Sequence, residues 1–190
     1  MAEFAELGFA GARVDRIVNR ARVNKQAVYY HFGSKEELYR ASLALAYGEF
    51  RLSERWRASD VPAEQAMREL LAAIFDHIQA NEKGTSIIAH ENRYHGRHLT
   101  RALRSRIQAA VAPIIDSIAG VLKRGQQEGL FSTRMGAIHL YLSIICLCMF
   151  YFTNIYTLSA ILGRDLATAR SIAGWRKHVI EFVVDSLKAR

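Results

Sequence analysis

The chain reads as an all-helical protein of about nine helices, and three observations carry that expectation. Its 190 residues include only two prolines and 12 glycines, so few breakers interrupt it. Apolar residues recur at three- and four-residue spacing along most of its length, and nowhere do they alternate with polar ones as a half-buried strand requires. A hydrophobic content of 51% suffices for a real core, in one domain of ordinary size or in two small ones sharing an interface.

Phe4, Leu7 and Phe9 read as the end of a first helix closed by Gly8, with a loop through Gly11. The pattern starts inside that helix, which is therefore expected to be truncated. A second helix is expected from about Arg13 to Arg20, with Ala12 in the cap place and Val14, Ile17, Val18 and Ala21 as its apolar stripe. The third begins behind Asn24, a good cap, and ends near Phe32, with Val23, Val28 and Phe32 on one side. The two stripes are expected to bury against each other. Gly33 supplies a turn, Ser34 caps a fourth helix, and Glu37 completes the capping box SKEE. That helix is expected to reach about Arg57, with Leu38, Leu45 and Leu52 along one side.

After Asp60 and Pro62 the composition turns from basic to mixed, which marks a domain boundary on composition alone. A fifth helix follows over Ala63 to Ala80, with Met67, Leu70, Leu71, Ile74, Phe75 and Ile78 as its buried stripe. A sixth spans about Lys83 to Arg93. The seventh, from about Leu99 to Glu128, is expected to bend at Pro113, whose ring removes a hydrogen bond, and to end at Gly129. An eighth runs from about Thr133 to Leu162, and a last helix opens at Asp165 or Thr168 and reaches nearly to Arg190.

The net charge of +8 is unevenly placed. Residues 10 to 35 hold six Lys and Arg against Asp15, and residues 93 to 124 hold seven against Asp116. The first cluster coincides with two short helices joined by a tight turn. Their outward positions are Arg13, Arg16, Arg20, Lys25, Gln26, Tyr29 and Tyr30, a set rich in phosphate and base-edge donors. That is the face of a helix-turn-helix DNA reader. The second cluster has no such structural partner and reads as a solvated helix face.

Other chemistries find less support. Cys146 and Cys148 are too few for a disulfide framework, and two residues apart on a helix they point to different sides. A reducing cytoplasm fits, and MAEFAELGF lacks the pattern of a secretory signal. His90, Glu91, His95 and His98 cluster without a clean metal-ligand pair at i and i+4, so they read as a polar loop and helix start. With no phosphate loop and no catalytic triad, no cofactor, metal or enzyme activity is expected. Met135 to Gly163 contains no charged residue and is long enough to span a bilayer. Its Ser, Thr and Asn residues, and the single arginine at each flank, favour a soluble protein with one side of this helix on its own core and the other on a partner chain. In the last helix Trp175, Val179, Phe182 and Val183 form an apolar stripe that suits a dimer interface.

The segment FAELGFAGARVDRIVNRARVNKQAVYYHFGSKEELYRA resembles the DNA-binding domain of the tetracycline-repressor (TetR) family of bacterial transcription regulators. ENRYHGRHL (91 to 99) and FYFTNIYTLS (150 to 159) resemble blocks in the C-terminal domain of a subset of that family. The resemblance implies a helix-turn-helix domain over residues 1 to 41 and a helical ligand-binding and dimerisation domain over 42 to 190, its last two helices pairing with those of a second chain. By carry-over, Lys25, Gln26, Tyr29, Tyr30 and His31 contact DNA, and Arg13 and Lys35 lie at phosphates. The implied protein is a cytoplasmic, homodimeric repressor that binds a pseudo-palindromic DNA operator and is released by a small-molecule effector. A pocket for that effector can be drawn from Phe75, Ile78, Tyr94, Phe150, Tyr151 and Asn154. Three features depart from the family pattern: about a dozen residues usually precede FAELGF, so that either the start is misplaced or the first helix is short, Ala12 replaces a capping Thr, and Arg22 stands where a turn Gly is usual. Arg22 must then take a less favourable backbone or shift the turn. The rival readings are a helical interaction protein whose helix-turn-helix binds no DNA, an enzyme, and a single-span membrane protein.

Overall fold

The structure is a computed structural model that describes residues 1–48, 61–132 and 135–188. Among these residues there are nine helices: α1 (Ala2–Gly11), α2 (Val14–Ala21), α3 (Lys25–Phe32), α4 (Lys35–Gly48), α5 (Ala63–Ala80), α6 (Glu82–Arg93), α7 (Arg101–Gln127), α8 (Ala137–Leu162) and α9 (Ala169–Leu187). They contain no strand, only an isolated antiparallel bridge between Phe131 and Lys188. The expected continuation of α4 through Leu52 to Arg57, and the expected helix limits at Thr133 and Arg190, fall outside the described residues.

Two compact units form, one from Met1–Arg51 with Asn81–Val111 and the other from Leu52–Ala80 with Ala112–Arg190. The first is built on α1, α4 and α6, which enclose Phe4, Tyr39, Leu43, Ile87 and Leu103. Phe4 meets Tyr39 edge-on with ring centroids 5.0 Å apart, an arrangement that places a positive ring edge on a negative ring face. Gly8 does not end α1. It breaks the helix at φ 64°, and another turn continues to Gly11. A Cβ at Gly8 would stand 3.0 Å from the His90 ring, so the position needs glycine for space as well as for conformation.

In the second unit α5 is the central helix, with eight buried residues from Ala63 to Ile78, and it packs on α8 and α9. The bidentate pair between Arg176 and Asp76, at 2.7 and 2.8 Å, joins α9 to α5 at its rim. α8 buries Leu140, Ile144, Cys148, Tyr151 and Ile155, a period of 3.6 residues, and leaves Ile138, Leu142 and Tyr156 exposed on the far side. Burial pushes the Cys148 thiol up to about 12, whereas Cys146 faces out. α7 and α8 are both long and apolar enough to cross a membrane, by length and composition. α7 carries Pro113 in its interior, and the hydroxyl of Ser117 donates to the Pro113 carbonyl at 2.7 Å.

The α9 stripe is covered differently from the expectation. Val179 and Val183 are buried inside the unit. Trp175 stacks on Tyr151 at 5.3 Å, with its indole N–H donating to the Leu147 carbonyl. Phe182, 57% exposed, is the member of the stripe left facing out.

Candidate nucleic-acid interface

The helix-turn-helix is set by three local features. Arg13, not Ala12, occupies the N-cap of α2, and its side chain makes no capping bond. Its backbone N–H instead donates to the Glu3 carboxylate at 3.3 Å. At the far end of α2, Arg22 sits in the left-handed region at φ 54° and ψ 40°, so the turn keeps its geometry and the arginine bears the strain. Asn24 then caps α3, its Oδ1 accepting from the Gln26 N–H at 2.8 Å. Behind α3, Gly33 turns at φ 72° and the Glu37 N–H donates to the Ser34 hydroxyl at 3.1 Å, the forward half of the capping box.

The expected mutual burial of two apolar stripes holds only on one side. Val14 and Val18 of α2 are buried, and Ile17 packs on the core of the first unit. No residue of α3 is buried, and Val23 and Phe32 are exposed at 47% and 36%. α3 therefore stands proud, held at its ends by α2 and α4. Lys25, Gln26, Tyr29, Tyr30 and His31 are all exposed, Tyr30 at 88%. His31 is not packed into the core; its ring meets Tyr30 and Phe32 edge-on.

Acids from α1 reach this surface, which the sequence alone did not reveal. Arg16 pairs with the buried Glu3 at 3.3 Å, and Arg20 pairs with Glu6 at 2.8 Å. Lys25 is held by Asp15 at 2.6 Å, and that partner raises the lysine above its ordinary range. The Arg20 bond likewise holds Glu6 low and Arg20 high. Among the described residues of the head, Arg13, Arg22 and Lys35 carry no ion pair, and the Lys35 ammonium lies 4.8 Å above the Phe9 ring. A cation seated on an aromatic face keeps its charge available while its stem is fixed.

Behind the head lies a buried polar knot. The Glu91 carboxylate accepts the His98 backbone N–H at 2.7 Å and contacts its Nδ1 at 2.8 Å, with both residues almost wholly buried. The His98 ring packs on Phe9, Tyr39 and Tyr94. Burial, with Glu91 beside it, pushes the Tyr39 phenol up. These two residues are thus not a polar loop. His90 bonds the Ala5 carbonyl, His95 is exposed in the left-handed region, and the described residues contain no metal-ligand cluster.

The residues expected to bind a ligand are spread out. Phe75 and Tyr151 each contact Phe152, at centroid distances of 5.3 and 5.5 Å, and Ile78 is buried nearby on α5. Asn154 is half-buried and bonds the Phe150 carbonyl, while Phe150 faces out at 58%. Tyr94 belongs to the other unit, at the C-cap of α6.

Comparison with known proteins matches this layout. Residues 1–42 match the family described as bacterial regulatory proteins, tetR family, and residues 63–183 match the tetracyclin repressor-like C-terminal domain. The chain is 33% identical to the HTH-type transcriptional repressor NicS of Pseudomonas putida, over 97% of this chain and 87% of that one. In fold it is similar to the ketosteroid transcriptional regulator KstR2 of Mycobacterium tuberculosis, with TM-score 0.69 and 19% identity over 100% and 91% of the two chains. It is also similar to AibR, solved with isovaleryl coenzyme A and operator DNA, with TM-score 0.70 and 16% identity over 94% and 90%. The chain belongs to the tetR family of bacterial transcription regulators, a family of DNA-binding proteins and not of enzymes.

Proposed function

We propose that this protein is a repressor that binds a pseudo-palindromic operator as a homodimer in the cytoplasm and is released by a small-molecule effector. The observation that carries the reading is α3 itself, an eight-residue helix with a capped start and no buried residue. Such a helix has little to do in its own core and is free to enter a major groove. Gln26 suits an adenine edge and Lys25, once exchanged from Asp15, a guanine or a phosphate; the tyrosine hydroxyls suit phosphate oxygens. Arg13 and Lys35 are the backbone contacts of this reading. His31, exposed and edge-on to Tyr30, joins the same surface.

Dimerisation is supported by the outer side of α8, where Ile138, Leu142 and Tyr156 are exposed, and by Phe182 on α9. A two-fold contact there covers apolar surface too extensive to leave in water. For the effector we keep the set Phe75, Ile78, Tyr94, Phe150, Tyr151 and Asn154, of which Phe75 and Tyr151, both against Phe152, are the best supported. An effector that changes operator affinity tenfold must favour one conformation by about 1.4 kcal/mol. Titration of the protein with genomic duplex fragments tests the reading. It requires tight binding to at least one fragment, lost steeply as salt rises; affinity indifferent to both sequence and salt refutes it.

A further inference from the structure

The first unit contains a groove of about 340 Å³ beside the end of the recognition helix. His31 and Phe32 of α3 line it, together with Arg40 of α4, Thr100 just before α7, and Leu103 and Arg106 within the first turns of α7. Its one acid, Glu37, is committed to Arg40, as is Glu36. Arg106 is exposed and carries no ion pair among the described residues. The Thr100 oxygen accepts the Leu103 N–H and keeps its own hydrogen to donate. The wider segment agrees in sign: Arg93, Arg97, Arg101, Arg104 and Arg106 are all exposed, and the closest acid before them, Glu91, is buried on His98. Five of the seven cations in the segment 93 to 124, which reads in sequence as a plain solvated face, therefore lie in the same compact unit as the reading head, while Lys123 and Arg124 belong to the other unit.

We propose that this groove is a second seat for the DNA backbone, in which Arg106, with Thr100 and His31, takes a phosphate next to the stretch read by α3. The inference rests on the DNA-binding reading and adds a contact to it from outside the helix-turn-helix. Two features on the molecule favour a duplex backbone over other partners. The groove shares His31 with the reading surface, and its uncommitted groups are cationic or neutral donors. Geometry of this kind positions a protein on DNA without reading sequence.

The test is a salt series of equilibrium binding to an operator duplex and to a random duplex, with the wild type, Arg106→Gln and Arg106→Lys, and with Arg170→Gln as an exposed control in the other unit. The variant dimer loses one phosphate contact per subunit, two in all, which lowers the slope of log K against log salt by about 1.8 and near 0.1 M salt gives roughly a sixtyfold weaker affinity. The inference expects that loss in Arg106→Gln on both DNAs, recovery in Arg106→Lys, and no change in the control. Phosphate ethylation should show one interfering position per half-site that the Gln variant no longer has. If the wild type shows no salt-sensitive binding, the DNA-binding reading falls and the inference with it. If the wild type binds and Arg106→Gln keeps its slope and ethylation pattern, the inference alone is overturned. A weaker affinity at unchanged slope overturns it too, since the arginine would then act through packing. It is equally overturned if Arg106→Gln binds DNA normally but loses a thermal stabilisation that inorganic phosphate gives the wild type, because the groove would then serve a small anion.

Discussion

Replacing Glu91 by Ala tests the buried knot that ties α6 to the start of α7. The carboxylate accepts the His98 backbone N–H at 2.7 Å and lies 2.8 Å from its Nδ1, in a site where Glu91 and His98 are 2% and 3% exposed. Truncation leaves a buried backbone donor and a buried ring nitrogen without their acceptor, at about 1–3 kcal/mol each. For a chain of this size, 1 kcal/mol lowers the melting temperature by about 2–4 °C, so the loss of both bonds should lower the melting point by about 4–24 °C. Circular dichroism during a thermal ramp measures it. Glu91→Gln, which keeps one oxygen for the backbone N–H, should lose less. If Glu91→Ala melts within about 2 °C of the wild type, the pair contributes nothing and the account of the knot is wrong.

Three further outcomes can be checked. Gly125→Ala should destabilise by about 1–3 kcal/mol, because a Cβ there would stand 2.0 Å from the buried Phe131 ring, and urea unfolding reads the loss. Arg22→Gly should stabilise by about 1 kcal/mol, since it relieves the left-handed backbone at φ 54° less the entropy glycine adds to the unfolded chain; a lower urea midpoint would contradict the strain. Phe182→Glu should convert the sedimenting species from dimer to monomer and weaken operator binding, because a two-fold contact meets the new charge from both sides. A dimer of wild-type strength in that variant would move the interface elsewhere.

Much of the fold is legible because helices announce their ends. Asn24, Gly33, Ser34, Thr168 and Gly163 mark observed boundaries, and the α5 stripe from Met67 to Ile78 is buried as its period requires. Arg22 at the turn was readable as strain, because the turn demands a backbone that arginine adopts only at a cost. What stayed hidden depends on tertiary neighbours. Glu3 and Glu6 lie ten or more residues from the arginines they hold, so the head looked freer of acid than it is. Glu91 and His98 share no helical period; the chain reverses at His95 and Gly96, both with positive φ, and folds one onto the other. Periodicity also cannot say what covers an apolar stripe. The one on α3 is left open, while Val179 and Val183 on α9 are covered within their own unit.

The central claim is that α3 reads a duplex as one of a related pair. Selection of bound sequences from a random duplex pool, with wild type and Gln26→Ala in parallel, tests it most directly. The account predicts that the wild type enriches an inverted repeat with half-sites about one helical turn apart. It predicts that Gln26→Ala enriches the same repeat with preference relaxed at one base pair per half-site, worth about 1–3 kcal/mol. Recovery of no repeat by the wild type, or of an identical repeat with undiminished preference by Gln26→Ala, would contradict it.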